Sequence, residues 1–407
     1  MVNGWVECPI TEVLKPNGIK IGPFGSQLKK EMLLSDGVYR VYGQENVYAH
    51  DFNIGDRYLT REHFNRLNSC EILPGDFVMS TMGTIGKCAI VPTTIQRGIM
   101  DSHLIRLRFD EKKVRSDYIL QLFSDQFHYL SDQTARLAVG GIMDGLSVGI
   151  VSRLNVIYPE SIEEQGKIIK TLSEVDKLIF DQQKLIRKKK NVRQGTMQRL
   201  LTGKNRLQGF SSEWKDTTLG KICNIKDGTH QTPYYVECGI PFYSVETVTN
   251  DDFSHVKYIS LEEHERLTSS YKIENGDVLM TRIGSIGKGK YVDWNPNASF
   301  YVSLALLKFR GNKPLANFIA LLTGTEEFQK EAELHSLHFA IPTKINLGQI
   351  SDIRVRIPAD ESEIKTIITM LNDMGSEIKR LEQKLNKYKQ LKQGMMEELL
   401  TGKVRLV

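Results

Sequence analysis

The stretch that decides the fold is GDFVMSTMGTIGK, from Gly75 to Lys87, because it returns as GDVLMTRIGSIGK, from Gly276 to Lys288. A second phrase, LLTGK at 200–204, returns 199 residues later at 399–403. Solenoid repeats have periods of roughly 20 to 50 residues, so this spacing indicates a duplicated module rather than a solenoid. The 407 residues therefore form two halves of about 200 residues each.

The composition is that of a globular protein, with 40% hydrophobic and 25% charged residues. The five cysteines are widely spaced and include no Cys-x-x-Cys pair, which argues against a disulfide framework and against a cysteine zinc site. No apolar run approaches the 18 or so residues of a membrane span, and the first residues lack the pattern of a signal peptide. We therefore expect a cytoplasmic protein.

The positive charge is concentrated in two segments. Residues 165–207 carry a formal charge of +9 and residues 365–407 carry +4, so the rest of a chain with net charge +5 carries −8. A basic stripe can bind phosphate groups. A run of charge is equally typical of a solvated helix face, and the charge pattern alone leaves both interpretations open.

Each half begins with a β-rich part of mixed structure, at 1–159 and at 208–358. Short apolar runs such as Leu104–Phe109 are bounded by Gly, Pro, Asp or Ser, which is typical of strands. A helix is predicted at Ser116–Ser124, and its counterpart in the second half is Leu315–Leu322.

Each half ends with a long helix, at 160–207 and at 359–407. Apolar residues there alternate in steps of four and three, the spacing of a coiled-coil seam. Gly203 and Gly402 follow the last apolar positions and are typical helix stops. The residues predicted to pair the helices are Ile168, Leu172, Val175, Ile179, Ile367, Leu371, Met374, Ile378, Leu381 and Leu385.

The order globule–helix–globule–helix predicts how the parts connect. Long helices with one narrow apolar stripe need a partner, and each half can supply the other's. Antiparallel pairing gives an α+β fold: two β-rich mixed α/β domains separated by a pair of long antiparallel coiled-coil helices, with a pseudo-two-fold, nearly circular organisation. The C-terminal residues should then end beside Trp5 in the first globule.

Motifs of common enzymes are missing from the sequence. A phosphate loop needs Gly-x-x-x-x-Gly-Lys-Ser/Thr, but the position of the first glycine holds Thr81 in one half and Arg282 in the other. The better interpretation is a tight turn between two strands. Adenine methyltransferases need an Asn/Asp-Pro-Pro-aromatic tetrad, which is absent, and no histidine spacing or Gly-x-Ser-x-Gly elbow indicates a metal or nucleophile site. The sequence predicts a scaffold without catalytic or metal residues.

The whole chain resembles the specificity subunit of type I restriction-modification systems. The resemblance rests on the duplicated β-rich globule, the two long helices and LLTGK at each helix end. The matching phrases within the globules are Ile21–Gln27, Tyr39–Tyr42, Gly75–Val78, Gly83–Lys87, Asp227–Pro233, Gly239–Tyr243, Gly276–Leu279 and Gly284–Lys288.

The resemblance implies a non-catalytic protein that reads double-stranded DNA. Each globule would be a target recognition domain for one half of a bipartite, asymmetric site. The helices would set the spacing and dock two adenine methyltransferase subunits, and two translocase-nuclease subunits would join for restriction. S-adenosylmethionine, ATP and Mg would be bound by those partners, and no cofactor by this chain.

Different turn residues on a common frame would let the two globules read different half-sites. Gln suits adenine edges, Arg and Lys suit guanine, and Ser or Thr suit either. The two tyrosines are alternatively core residues, and the lysines alternatively touch only phosphate. The candidates for DNA binding are Gln27, Lys29, Tyr42, Gln44, Thr84 and Lys87 in the first globule, and His230, Gln231, Tyr243, Arg282, Ser285 and Lys288 in the second.

Two other functions remain open. The chain could be a two-headed coiled-coil adaptor between proteins, without sequence-specific DNA reading, or an enzyme with an unrecognised site. The acidic balance outside the helices predicts weak DNA binding by this chain alone, with most of the electrostatic attraction supplied by partner subunits.

Overall fold

The computed structural model describes residues 3–137, 145–337 and 339–406. It divides into two compact units, Met1–Gln183 with Lys384–Val407 (unit 1) and Lys184–Gln383 (unit 2). Each unit contains one β-rich globule and a part of both long helices. No helix among the described residues is long and apolar enough to cross a membrane.

Unit 1 contains two four-stranded sheets and a separate strand pair. Its strands are β1 (Trp5–Pro9), β2 (Leu14–Ile21), β3 (Tyr39–Tyr42), β4 (Tyr58–Leu59), β5 (Glu71–Ile72), β6 (Phe77–Ser80), β7 (Cys88–Ile90), β8 (Gly98–Met100), β9 (Leu104–Phe109) and β10 (Asn155–Pro159). Its helices are α1 (Gln44–Ala49), α2 (Arg61–Arg66), α3 (Ser116–Leu122), α4 (Tyr129–Leu137), α5 (Val148–Val151) and the first part of α6 (Ile162–Leu200). The sheet orders are β2-β9-β6-β7 and β4-β3-β8-β5, and β1 pairs with β10.

The central strands of unit 1 are apolar on both faces because each face covers a different core. Successive side chains of a strand point to opposite faces. Phe77 and Met79 of β6 therefore pack in the cluster that contains Tyr118 of α3, whereas Val78 packs in the cluster that contains Tyr42. This double burial explains the continuous apolar runs in the sequence.

Unit 2 also contains two four-stranded sheets and a separate strand pair. Its strands are β11 (Trp214–Thr218), β12 (Asn224–Asp227), β13 (Tyr235–Val236), β14 (Ile240–Tyr243), β15 (Lys257–Ile259), β16 (Val278–Thr281), β17 (Gly289–Tyr291), β18 (Ser299–Phe300), β19 (Leu304–Lys308) and β20 (Arg354–Pro358). Its helices are α7 (Leu219–Ile222), α8 (Val245–Asn250), α9 (Leu261–Thr268), α10 (Lys313–Leu322), α11 (Glu326–Leu334), α12 (Leu347–Asp352) and the first part of α13 (Glu361–Leu399). The sheet β12-β19-β16-β17 matches β2-β9-β6-β7, and β11 pairs with β20 as β1 does with β10.

The long helices run antiparallel within each unit. In unit 1 the carboxylate of Asp176 on α6 lies 2.6 Å from Nζ of Lys392 on α13. In unit 2 the ammonium of Lys189 on α6 lies 2.7 Å from the carboxylate of Glu377 on α13. Arg193, one turn further along α6, bonds back to the carbonyl of residue 371 on α13. The predicted α+β fold with antiparallel long helices is therefore confirmed.

The residues predicted to pair the helices differ in burial. Ile168, Leu172, Val175, Ile367, Leu371 and Ile378 are buried, and Ile179, Met374, Leu381 and Leu385 are half-buried. The seam also buries polar side chains, including Lys392, which is 5% exposed and forms the ion pair with Asp176. The predicted helix at 116–124 ends two residues earlier than expected, at Leu122.

The segment after each long helix makes the same set of contacts, α13 in unit 1 and α6 in unit 2. Gly402 adopts a left-handed φ of 75°, and a Cβ there would lie 2.8 Å from the Trp5 ring. Three residues beyond, Arg405 forms an ion pair of 2.6 Å with Glu164 of α6. The C-terminal segment therefore ends beside Trp5, as the topology predicts. The contacts of unit 2 are Gly203 with Trp214 and Arg206 with Glu363.

Candidate nucleic-acid interface

The repeated Gly-x-x-Gly-Lys phrase forms a tight turn between two strands in each unit. In unit 1 it connects β6 to β7, and Gly83 and Gly86 both have positive φ. The Ser80 hydroxyl donates to the Thr84 carbonyl at 2.7 Å and accepts from the Lys87 amide at 3.0 Å, which closes the turn. In unit 2, Gly284 and Gly287 have positive φ in the same turn between β16 and β17. The strand-turn interpretation of this phrase is confirmed.

Two loops with candidate residues leave the sheet β2-β9-β6-β7 of unit 1 at the same end of its strands, which forms one edge of the sheet. Ile21 at the end of β2 pairs with Ile105 of β9, and Ser80 at the end of β6 pairs with Leu104, the preceding residue of β9. The segment after β2 and the turn after β6 therefore emerge side by side. The first contains the exposed residues Gln27 and Lys29, and the second contains the exposed Thr84.

Tyr48 of α1 ties the turn of unit 1 to that helix. Its hydroxyl accepts from the Thr84 amide at 3.1 Å and lies 2.9 Å from the Met82 carbonyl. It also lies 3.1 Å from Oε1 of Gln44, one helical turn earlier on the same face. Gln44 and Thr84 thus belong to one polar surface. Tyr48 is not among the residues predicted from the sequence, although its spacing of four from Gln44 places both side chains together.

Two other candidates of unit 1 have partners inside the protein. Tyr42 is fully buried, its hydroxyl donates to the Gln96 carbonyl at 2.5 Å, and burial raises its pKa. It is a core residue, the alternative that the sequence left open. Lys87 is half-buried and forms an ion pair with Asp125, which neutralises its charge.

Unit 2 holds an ordered chain of polar side chains at the corresponding edge. Arg282, only 6% exposed, donates from Nη1 to Oδ1 of Asp227 at 2.6 Å and from Nε to the carbonyl of residue 345 at 3.1 Å. The other carboxylate oxygen of Asp227 lies 2.8 Å from Nε2 of His230. A carboxylate only accepts hydrogen bonds, so it holds a proton on Nε2 and leaves Nδ1 as the second ring nitrogen for contacts.

The burial of Arg282 corrects its predicted role as a direct DNA contact. Its guanidinium is buried and donates a hydrogen bond to the carboxylate of Asp227, which in turn orients the exposed His230. Tyr243 is likewise a core residue: its ring packs edge-on against Phe253 with centroids 5.0 Å apart, and burial raises its pKa.

The remaining candidates of unit 2 are accessible. Gln231 and Lys288 are exposed and Ser285 is half-exposed. The strand pairing and turn alignment place Ile21 and Thr81 in unit 1 where unit 2 has Asp227 and Arg282. The two units therefore present different polar groups on one backbone frame.

The described residues contain no cluster of three or more His, Cys, Asp or Glu side chains that could hold a metal ion. The polar groups at the two edges are amides, hydroxyls, lysines, an imidazole and the Asp227 carboxylate that bonds to it. Their chemistry suits hydrogen bonding to base edges and contact with phosphate groups.

Comparison with known proteins identifies one family across both halves of the chain. The family described as Type I restriction modification DNA specificity domain matches residues 5–191 and 211–391. The specificity subunit of the type I restriction enzyme MjaVIII from Methanocaldococcus jannaschii is 22% identical over an alignment of 332 positions, which covers 76% of this chain and 75% of that relative.

Solved structures share the fold over nearly the whole chain. The S subunit of a type I restriction-modification system from M. genitalium has a TM-score of 0.55 at 15% identity and covers 98% of this chain and 97% of its own. The HsdS subunit from Thermoanaerobacter tengcongensis has a TM-score of 0.52 at 17% identity, with coverage of 99% and 98%. A chain solved in work on complex assembly and conformational transition of the type I R-M system has a TM-score of 0.61 at 16% identity, with coverage of 98% for both chains.

Proposed function

Since this chain belongs to the type I restriction-modification DNA specificity family, we propose that it selects the DNA site for a methyltransferase complex, with each unit reading one half of a split site. The observation that carries this proposal is the sheet edge of each unit. One frame presents Gln44, Tyr48 and Thr84 in unit 1, and Asp227 with His230 in unit 2. Different polar groups on one frame are what reading two unequal half-sites requires.

The long helices are the proposed docking surface for two adenine methyltransferase subunits. Val192 of α6 and Leu391 of α13 occupy equivalent positions of the repeat, 199 residues apart, and both remain exposed in their units. A partner that covers these two side chains would remove apolar surface from water. Two equivalent positions on two helices match two copies of one partner.

The chemistry of the complex belongs, on this proposal, to the partner subunits. The methyltransferase subunits would bind S-adenosylmethionine, and two translocase-nuclease subunits would bind ATP and Mg. The chain itself contributes recognition and spacing and no catalytic residue. The hydrogen-bonding groups at its two sheet edges support a reading role.

Methylation sequencing of single DNA molecules from the host, with and without this gene, tests the proposal. We expect loss of one split adenine-methylation motif, restored by reintroducing the gene. A chain in which residues 1–159 come from another such protein should change only one half of the motif. An unchanged set of methylated sites, with the methyltransferase partner expressed, would refute DNA reading and favour the two-headed protein adaptor.

A further inference from the structure

Unit 2 carries two fully exposed apolar side chains at the tip of one segment. Phe339 is 102% exposed and Ile341 is 100% exposed, in the stretch between α11 and α12. Moving a large apolar side chain out of water is favourable, and an exposed side chain does not gain this free energy. Two of them at one tip indicate a surface that is covered in the working complex.

The backbone holds this tip against the turn that follows β16. The amide of Leu337 donates to the Lys344 carbonyl at 2.7 Å, which closes the base of the tip. The amide of Gly284 donates to the Thr343 carbonyl at 2.8 Å, and the amide of Ile345 donates to the Arg282 carbonyl at 2.9 Å. The apolar tip is therefore joined directly to the edge that holds Arg282, and so to the edge proposed to read DNA.

The charge around the tip favours a polyanion over a protein surface of mixed charge. Residues 282–288 and 335–345 contain no Asp or Glu, although the chain outside its two basic segments has a net formal charge of −8. Lys288 and Lys344 border the tip, and both side chains are exposed. These two lysines are complementary to phosphate.

We propose that Phe339 and Ile341 form an apolar wedge that inserts at a base-pair step of duplex DNA beside the second half-site. The proposal rests on the proposed DNA-reading function. Apolar side chains between base steps partly unstack them and bend the duplex. An aromatic ring can stack on any base, so the wedge would contribute affinity and distortion rather than sequence choice. The corresponding segment of unit 1, at 138–144, lies outside the described residues.

The test uses the full chain assembled with its methyltransferase subunits and duplexes carrying the methylated motif. The adenine analogue 2-aminopurine, placed at successive steps around the second half-site, reports unstacking as a rise in fluorescence. Phe339→Ala should abolish this rise at one step and weaken binding about 5- to 150-fold, the range for loss of one aromatic–base stack. Phe339→Trp should retain both. Leu334→Ala, at another exposed apolar side chain of unit 2, is the matched control and should change neither.

Two results would overturn the wedge. One is unchanged fluorescence and affinity in Phe339→Ala and in the double variant with Ile341→Ala. The other is loss of assembly with the methyltransferase subunits in the absence of DNA, which would make the tip a protein contact. Failure of the DNA-reading proposal would look different, because the wild-type complex would then show no preference among duplexes. A fluorescence rise dependent on Phe339 in every duplex would still support the wedge.

Discussion

Gly375→Asp should stabilise unit 2 by completing an ion pair that unit 1 already has. In unit 1, Lys392 of α13 lies 2.6 Å from Asp176 of α6. The equivalent positions of unit 2, offset by 199 residues, are Arg193 on α6 and Gly375 on α13. A Cβ built on Gly375 would lie 3.6 Å from Nε of Arg193, an ordinary van der Waals distance. An aspartate there would face the guanidinium without a clash.

The expected gain is about 1 kcal/mol. Burial lowers the pKa of Arg193, so its charged form lacks compensation in the folded chain. A hydrogen bond to a charged group contributes about 1.5–3 kcal/mol, from which desolvation of the new carboxylate must be subtracted. Replacing a helical glycine by aspartate adds about 0.3 kcal/mol of helix propensity. Gly375→Asn has nearly the same propensity and shape without the charge, so it isolates the ion pair.

Urea unfolding of the full chain, followed by circular dichroism, measures the effect. The free energy of unfolding of Gly375→Asp should exceed that of Gly375→Asn by about 1 kcal/mol, which corresponds to about 2–4 °C in melting temperature. The difference should vanish when both are combined with Arg193→Gln, which completes a double-mutant cycle. Equal stability of the Asp and Asn variants with Arg193 present would refute the argument, as would a difference that persists without Arg193.

Three further changes give distinct results. Arg405→Met should lower the melting temperature by several degrees, because it leaves the carboxylate of Glu164 buried without its cation. The Arg405 hydrogen bond lowers the pKa of Glu164. The stabilisation by this ion pair should therefore be full above the pKa of the carboxyl group in the unfolded chain, and it should disappear as the pH falls through the pKa in the folded chain. A loss of melting temperature that does not depend on pH would contradict this. Asp227→Asn should reduce discrimination about 10-fold at the second half-site only, read by methylation sequencing, and an equal change in both halves would refute its positioning of His230. Tyr48→Phe should weaken discrimination about fivefold at the first half-site through loss of its hydrogen bonds to the turn, and an unchanged motif would exclude that role.

The sequence predicts those parts of the fold that local periodicity determines. Strand β9 has the predicted bounds of Leu104–Phe109, and the long helices begin within two residues of the predicted segments. Their antiparallel pairing followed from the duplication and from the stepped spacing of apolar residues. These features depend on neighbours a few positions apart, which a sequence displays directly.

The candidate site was harder to predict because its geometry depends on residues far apart in the chain. Arg282 has the chemistry of a guanine reader, yet Asp227, 55 residues earlier, draws its side chain inward. Tyr42 lies in a strand whose two faces are both buried, so alternation could not distinguish core from surface. The Tyr48 contact depends on how α1 packs beside the turn. None of these arrangements can be predicted from the spacing of residues that are close in the sequence.

The division of unit 1 between the two ends of the chain has a consequence for synthesis on the ribosome. Met396, Leu399 and Leu400 complete the core that Trp5 and Leu172 begin, so that core stays open until the last residues emerge. Unit 2, encoded entirely between Lys184 and Gln383, is complete first. At about 5–20 residues per second, the roughly 200 intervening residues take about 10–40 s to translate. For that time the nascent first globule exposes apolar surface that only its own C-terminus can cover, and a ribosome that stalls late would release unit 2 folded and unit 1 unfinished.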